Sequence, residues 1–357
     1  MRNNYQPALW GILHGLNDFA AGFMLAYYTY HNASSQALLL IVVYSIIGFG
    51  GQLPVGFCLD SKKQIKPFAQ ASFVLLPLSI VLFFINEEAG IVFSGIASAF
   101  VHVTGGVVCL LPEFCGQVPE NKIAPLGLFT SPGVFGLALG GILGQYSLWP
   151  LLPLIAAVFV IAYLIFKNDL PVYKTPVKTE NQLDTHDFIM LGLLLVMCFR
   201  SFIFDVINYA AQEHSDGIII IGVSAFLGKL FGGFIADKIG WKKFVYITLP
   251  LAFLFFQLGK QNVYALGFGI ACLQSSVPIT LMLISRSLPV YPATATALSL
   301  GVSVALAGLP LFLINNKKNI ITHFDNGWLT IIAFSFFLCI GYFILKKISK
   351  QTVSTAT

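Results

Sequence analysis

The chain has 357 residues, of which 57% are hydrophobic and 10% charged, with a formal net charge of +5. Soluble domains carry about 25% charged residues, so this composition points to a membrane protein. The basic excess forms no extended patch of the kind that binds nucleic acid, and a nucleic-acid partner is not expected.

A spanning helix needs roughly 20 mostly apolar residues. Twelve segments meet that need: 8–30, 36–59, 67–86, 89–112, 124–147, 149–166, 188–209, 217–236, 243–259, 262–285, 290–314 and 327–346. The first is too long for the apolar part of a cleavable signal peptide and carries His14, Asn17 and Asp18. The longest link, 167–187, reads "KNDLPVYKTPVKTENQLDTHD" and is polar, charged and interrupted by Pro171 and Pro176. It predicts two six-helix bundles, 1–166 and 188–357, joined by a cytoplasmic linker. The six cysteines lie in or beside apolar segments and form no C-x-x-C pair. Neither a disulfide framework nor a metal site is expected from them.

Cytoplasmic loops carry the excess of Lys and Arg. With the N-terminus inside, 15 of the 20 basic residues fall on cytoplasmic segments, among them Lys62, Lys63, Lys66, Lys238, Lys242 and Lys243. An even number of spans returns the C-terminus, with Lys346, Lys347 and Lys350, to the same side.

The second and eighth spans end alike. Gly51-Gln52-Leu53-x-x-Gly56-Phe57-x-x-Asp60 matches Gly228-Lys229-Leu230-x-x-Gly233-Phe234-x-x-Asp237. The offset is one six-helix unit, as expected of parallel repeats in a transporter. Small residues at this spacing let helices approach closely. An acid at the cytoplasmic mouth can face the positive N-terminus of another helix, giving a latch between halves that releases during switching.

Ionisable side chains inside a bilayer are costly and default to a functional role. Here polarity recurs every third span. The first holds His14, Asn17 and Asp18; the fourth His102; the seventh Arg200, Asp205 and Asn208; the tenth Gln274. The third, sixth, ninth and twelfth have no ionisable side chain in their middles. His14, Asn17 and Asp18 share one helix face by their spacing. Asp18 is the expected proton-coupling carboxylate, with His14, His102 and Asp205 as further proton-carrying groups. Asn17, Arg200, Asn208 and Gln274 are the expected substrate contacts, Arg200 being suited either to an anionic group or to an ion pair with a membrane acid. In the fifth span Gly136, Gly140 and Gly144 recur every four residues on one face, suited to close helix packing.

At this point the sequence resembles a known family. "GGFIADKIGWKK" is similar to the loop signature of the major facilitator superfamily, with Gly233, Asp237, Lys238 and Gly240 in place. The earlier copy keeps Gly56 and Asp60 but lacks the second glycine. The resemblance implies an all-α membrane fold of twelve helices, whose first, fourth, seventh and tenth line a central path. "GLFTSPGVFGLALGGILGQ" resembles the antiporter signature of that superfamily, which goes with proton-coupled export. "HGLNDF", "GIASAFVHVTGG" and "GLFTSPGVFGLALGGILG" resemble segments of fosmidomycin-resistance-type facilitators.

These features predict a monomeric, cofactor-free secondary transporter of the inner (plasma) membrane, exporting a small organic molecule against protons. Import of a nutrient by the same fold is the alternative. An intramembrane enzyme is the remote one, because such an enzyme gathers acid, base and nucleophile at one depth.

Overall fold

A computed structural model describes residues 5–32, 34–111, 122–167, 170, 185–211, 216–259 and 262–313. They are helical almost throughout, as lipid demands, since only a helix satisfies every backbone N–H and C=O within one crossing segment. Eleven of the predicted spans have a helical counterpart. The twelfth, 327–346, and nearly all of the predicted linker lie outside the described residues.

The first seven helices are α1 (Gln6–His31), α2 (Ser34–Ser45), α3 (Gln52–Lys62), α4 (Ile65–Ile85), α5 (Glu87–Leu110), α6 (Ala124–Leu143) and α7 (Leu151–Phe166). A π-helical turn, Ile46–Gly50, joins α2 to α3 into one long span. The C-terminal set is α8 (Thr185–Ala211), α9 (Gly217–Ile239), α10 (Trp241–Leu258), α11 (Val263–Gln274), α12 (Val277–Ser287), α13 (Pro292–Thr296) and α14 (Ser303–Leu313). Helix α8 starts at Thr185, so the last residues of the predicted linker are already helical. A second π turn, Ala297–Val302, joins α13 to α14.

Among the described residues seven helices are long and apolar enough to cross a membrane. The chain is a multi-pass membrane protein. Helix α1, with 26 residues, is long enough but is not among the seven. Its polar face, with Gln6, His14, Asn17 and Asp18, lowers its hydropathy while remaining turned toward other helices.

Helices α4, α7 and α10 each carry an exposed apolar face. They expose Val74, Val81 and Phe84, Phe159, Val160 and Tyr163, and Tyr246, Ile247 and Leu254. Such large apolar side chains are expected to face lipid rather than water. Lipid tails are as apolar as leucine, so association between spans relies on close packing. Helices α1 and α6 show this most clearly. A β-carbon on Gly136, Gly140 or Gly144 would overlap the carbonyl oxygens of Gly15, Phe19 and Phe23 in turn. From the other side, Gly11 and Gly22 meet the carbonyls of Leu128 and Leu137. The glycine face expected in the fifth span is therefore the seam that draws α6 against α1.

The tenth predicted span crosses as one unit, Val263–Ser287, but its regular ladder is interrupted. It breaks at Ser275–Ser276, between α11 and α12. Pro278 has no N–H and its ring cannot pack under a regular helix, which interrupts the ladder there. Hydroxyls reach back to the preceding turn: Ser275 Oγ donates to Cys272 O at 2.6 Å, and Ser276 Oγ donates at 2.7 Å to Leu273 O, which also accepts from Ser276 N at 3.3 Å.

Candidate functional site

A cavity of about 490 Å³ lies between the N-terminal and C-terminal helices. It is lined from α1, α2, α5 and α6 on one side and from α8, α9, α11, α12 and α14 on the other. Both π turns reach it, through Phe49 and through Ser299 and Leu300. No lining residue comes from α4, α7 or α10, in keeping with the every-third-span polarity.

One wall carries an acid between two histidines. Asp18 Oδ2 lies 3.1 Å from His14 Nε2, and Asp18 Oδ1 lies 3.7 Å from His102 Nε2. The rings meet edge to face with centroids 4.3 Å apart. His14 Nδ1 is 2.9 Å from Phe129 O, and His102 Nδ1 is 2.8 Å from Ser98 O. A carbonyl only accepts, so both Nδ1 atoms carry hydrogen and both Nε2 atoms turn toward the carboxylate. His14 Nε2 and Asp18 Oδ2 at 3.1 Å then need a proton between them, on the ring or on the acid. Asn17 Nδ2 donates to Asp18 Oδ1 at 3.0 Å. Asn17 is fully buried and is not among the residues that line the cavity. Expected as a substrate contact, Asn17 here braces Asp18 through Nδ2, while its buried Oδ1 has no hydrogen-bond partner among the described residues.

The facing wall carries two cations. Arg200 is buried and Lys229 lines the same cavity. Arg200 Nη1 donates to Thr280 Oγ1 at 2.7 Å and forms no ion pair with Asp18 or Asp205 within 4.0 Å among the described residues. Of the two expectations for Arg200, the ion pair with a membrane acid is thus not seen. Thr280 sits just after the break in the tenth span, and its hydroxyl also faces Ser276 O and Val277 O. Lys229 lines the path rather than reaching for the interface. Asp205, Asn208 and Gln274 reach the cavity too.

Away from the cavity, at the end of the bundle bearing the lysine-rich loops, two acids cross from one set of helices to the other. Asp60, at the end of α3, accepts from Ala293 N at 3.0 Å, Thr294 N at 2.8 Å and Thr294 Oγ1 at 2.6 Å. Those groups form the N-terminus of α13. Asp237, at the end of α9, accepts from Ile123 N at 2.8 Å and Ala124 N at 3.0 Å, the N-terminus of α6. The first N–H groups of a helix have no partner of their own, and the helix dipole favours an anion there. The glycines permit the approach: a β-carbon on Gly56 would stand 2.9 Å from Ala293 O, and one on Gly233 would stand 3.0 Å from Ile123 O.

The overall arrangement of helices has solved counterparts. The chain is similar in structure to the E. coli fucose:proton symporter FucP, with a TM-score of 0.70 at 13% identity, covering 95% of this chain and 98% of that one. It is similar to the proton:xylose symporter XylE, with a TM-score of 0.61 at 14% identity over 96% of this chain and 94% of that one. The human organic anion transporter MFSD10 gives a TM-score of 0.59 at 13% identity, over 94% of this chain and 100% of that one. The chain has the major facilitator fold. No family model and no curated protein sequence matches it.

Within the facilitator fold, sequence reasoning reached seven of the wall residues. His14, Asp18, His102, Arg200, Asp205, Asn208 and Gln274 all line the cavity. It credited Lys238 with a share in the latch, yet Lys238 is exposed, and the carboxylate of Asp237 is met by backbone N–H groups. It missed Gly133, whose β-carbon would run into His14 Nε2 and Asp18 Oδ2. The signal was present: Gly133 stands three residues before Gly136, on the same helix face. It also missed Thr280, which only the break in the span turns toward Arg200.

Proposed function

We propose that this protein is a proton-coupled secondary transporter of a small polar solute, working by alternating access in the inner (plasma) membrane. The observation that carries the proposal is the pair of reciprocal clamps beneath a central cavity whose largely apolar walls carry a few charged side chains. Asp60 and Asp237 hold the two sets of helices together at one end, so the cavity cannot pass solute to that side until both let go. With that end taken as cytoplasmic from its basic loops, closure there corresponds to an outward-facing arrangement. Twelve spans in two parallel six-helix repeats, with both termini cytoplasmic, complete the arrangement.

Proton coupling is supported by the hydrogen-bond pattern around Asp18. Both histidines are held with Nε2 toward the carboxylate, and the short His14–Asp18 contact requires one shared proton. Passing solute can take that proton's place or trap it. The proton symport named for FucP and XylE is in keeping with this reading. Arg200 and Lys229, facing the acid from the opposite wall, suit a solute with an anionic group. Export was expected from the glycine face of the fifth span. Packing against α1 accounts for Gly136, Gly140 and Gly144 without any reference to direction.

The test is transport in proteoliposomes loaded with a pH-sensitive dye. Sugars, carboxylates and phosphonates are added outside, for the wild type and for Asp18→Asn. A solute-dependent pH change inside, lost in Asp18→Asn, is the expected result. Internal acidification marks symport, and alkalinisation marks antiport. Solute movement with no pH change in the wild type would remove proton coupling from the proposal.

A further inference from the structure

The acid–histidine cluster has more order than a proton relay requires. His14, Asp18 and His102 each offer one ligand atom, and these atoms all lie within 4.8 Å of one another. On a tetrahedral ion with bonds of about 2.0–2.1 Å, neighbouring ligand atoms stand about 3.3 Å apart. The separation of Asp18 Oδ2 from His14 Nε2, 3.1 Å, lies close to that value, and the other carboxylate oxygen, Oδ1, stands 3.7 Å from His102 Nε2. Modest side-chain rotations would close the set on one ion.

The outer partners are those of a metal centre. Metal-binding histidines hold the non-ligating N–H on a carbonyl or carboxylate, which fixes the tautomer and aims the lone pair. Phe129 O does this for His14, and Ser98 O for His102. Asn17 steadies the carboxylate through Asp18 Oδ1. All three ligands are thus oriented by a separate buried group. The three also line the cavity, which leaves open positions for water or a solute. On the far side, Gly133 lets the α6 backbone stand directly against the ligand atoms, where any side chain would intrude.

From this geometry we propose that His14 Nε2, His102 Nε2 and the Asp18 carboxylate form a site for a divalent first-row transition-metal cation entering from the central cavity. Two imidazoles with one carboxylate suit zinc, cobalt, nickel or iron(II), whereas calcium and magnesium take oxygen ligands. On binding, the metal displaces the proton shared by His14 and Asp18, which leaves to solvent. The proposal needs the cavity but not the transport reading. Binding by purified protein can succeed where transport fails, and the reverse.

The test uses the full-length protein in detergent, with any affinity tag removed, titrated with Co²⁺ and followed by its visible spectrum. Zn²⁺ is then added in competition. The wild type is expected to take up one Co²⁺ per chain, with the intense visible bands of a low-coordinate nitrogen and oxygen site, and Zn²⁺ erases them. Asp18→Asn and His102→Ala are each expected to weaken binding by more than the roughly 100-fold upper range seen for loss of an outer partner. Asn17→Ala keeps all three ligands and is expected to weaken it by about tenfold. His31→Ala, at an exposed histidine on the last turn of α1, leaves binding unchanged. Stoichiometric binding that survives both Asp18→Asn and His102→Ala would overturn the proposal. So would a wild type that shows no cobalt bands, an outcome that stands even where a variant fails to fold.

Discussion

The turns at Asp60 and Asp237 do the same work by different means. Both acids cap the N-terminus of a helix from the other set, and both are admitted by a glycine four residues earlier. Yet Asp60 is buried and accepts from two backbone N–H groups and a hydroxyl, whereas Asp237 is half-buried and accepts from two backbone N–H groups. The turn after Asp237 passes through Gly240 at φ 88°, a conformation that favours glycine. The matching position after Asp60 is Lys63, also at positive φ, 53°, but with ψ 29° against 130° at Gly240. The copy that lacks the second glycine therefore turns by a different backbone route and makes the fuller clamp. What the two copies share is an acceptor at a helix start, and the loop residues around it are replaceable at a cost.

The largest expected effect separates the two acids. Asp60→Asn should weaken the closed state by about 3 kcal/mol and Asp237→Asn by about 1.5 kcal/mol, since hydrogen bonds to charged groups are worth about 1.5–3 kcal/mol each and the amide keeps part of the contact. Labelling of single cysteines placed in the cavity, by a reagent added from the basic side, measures this opening. A larger effect at Asp237 would reverse the comparison. Next come the glycines. Gly56→Ala and Gly233→Ala should each cost about 1–2 kcal/mol, as overpacking against fixed backbone does. Gly56 should cost the more, because its β-carbon also meets Ala297 Cβ at 3.2 Å. Equal melting temperatures for wild type and Gly56→Ala in detergent would remove the close approach from the argument.

The turn residues give a smaller effect with opposite signs. Gly240→Ala should destabilise by about 1 kcal/mol, and Lys63→Gly should be neutral or stabilising by up to about 1 kcal/mol, because a left-handed L-residue costs roughly 1–2 kcal/mol against the entropy cost of glycine. Thermal unfolding of the two variants side by side checks both signs. The smallest effect is that of salt. Raising the ionic strength to 1 M shortens the Debye length to about 3 Å, which should shrink the Asp237→Asn effect by a few tenths of a kcal/mol and leave Asp60→Asn unchanged.

The described spans and the clamp acids were legible in the sequence for a common reason. Transfer into lipid and the bias of basic loops act residue by residue, so they can be summed along the chain without knowing which helix meets which. The polarity of the first, fourth, seventh and tenth spans follows from the same cost, since a charge in lipid must turn inward. Partner choice is different, because it depends on the rotation and crossing of helices. Only the tertiary structure brought His102 to Asp18, buried Asn17 beside the cavity wall, and turned Arg200 toward Thr280 instead of an acid. The determining contacts there are steric. Gly136, Gly140 and Gly144 set how near α6 comes to α1, and Gly133 sets what space is left beside the ligand atoms of the cluster. The sequence by itself determined a membrane bundle with an acid at each clamp. Close packing, which no single residue encodes, decided that two histidines and a carboxylate would meet on one wall of its cavity.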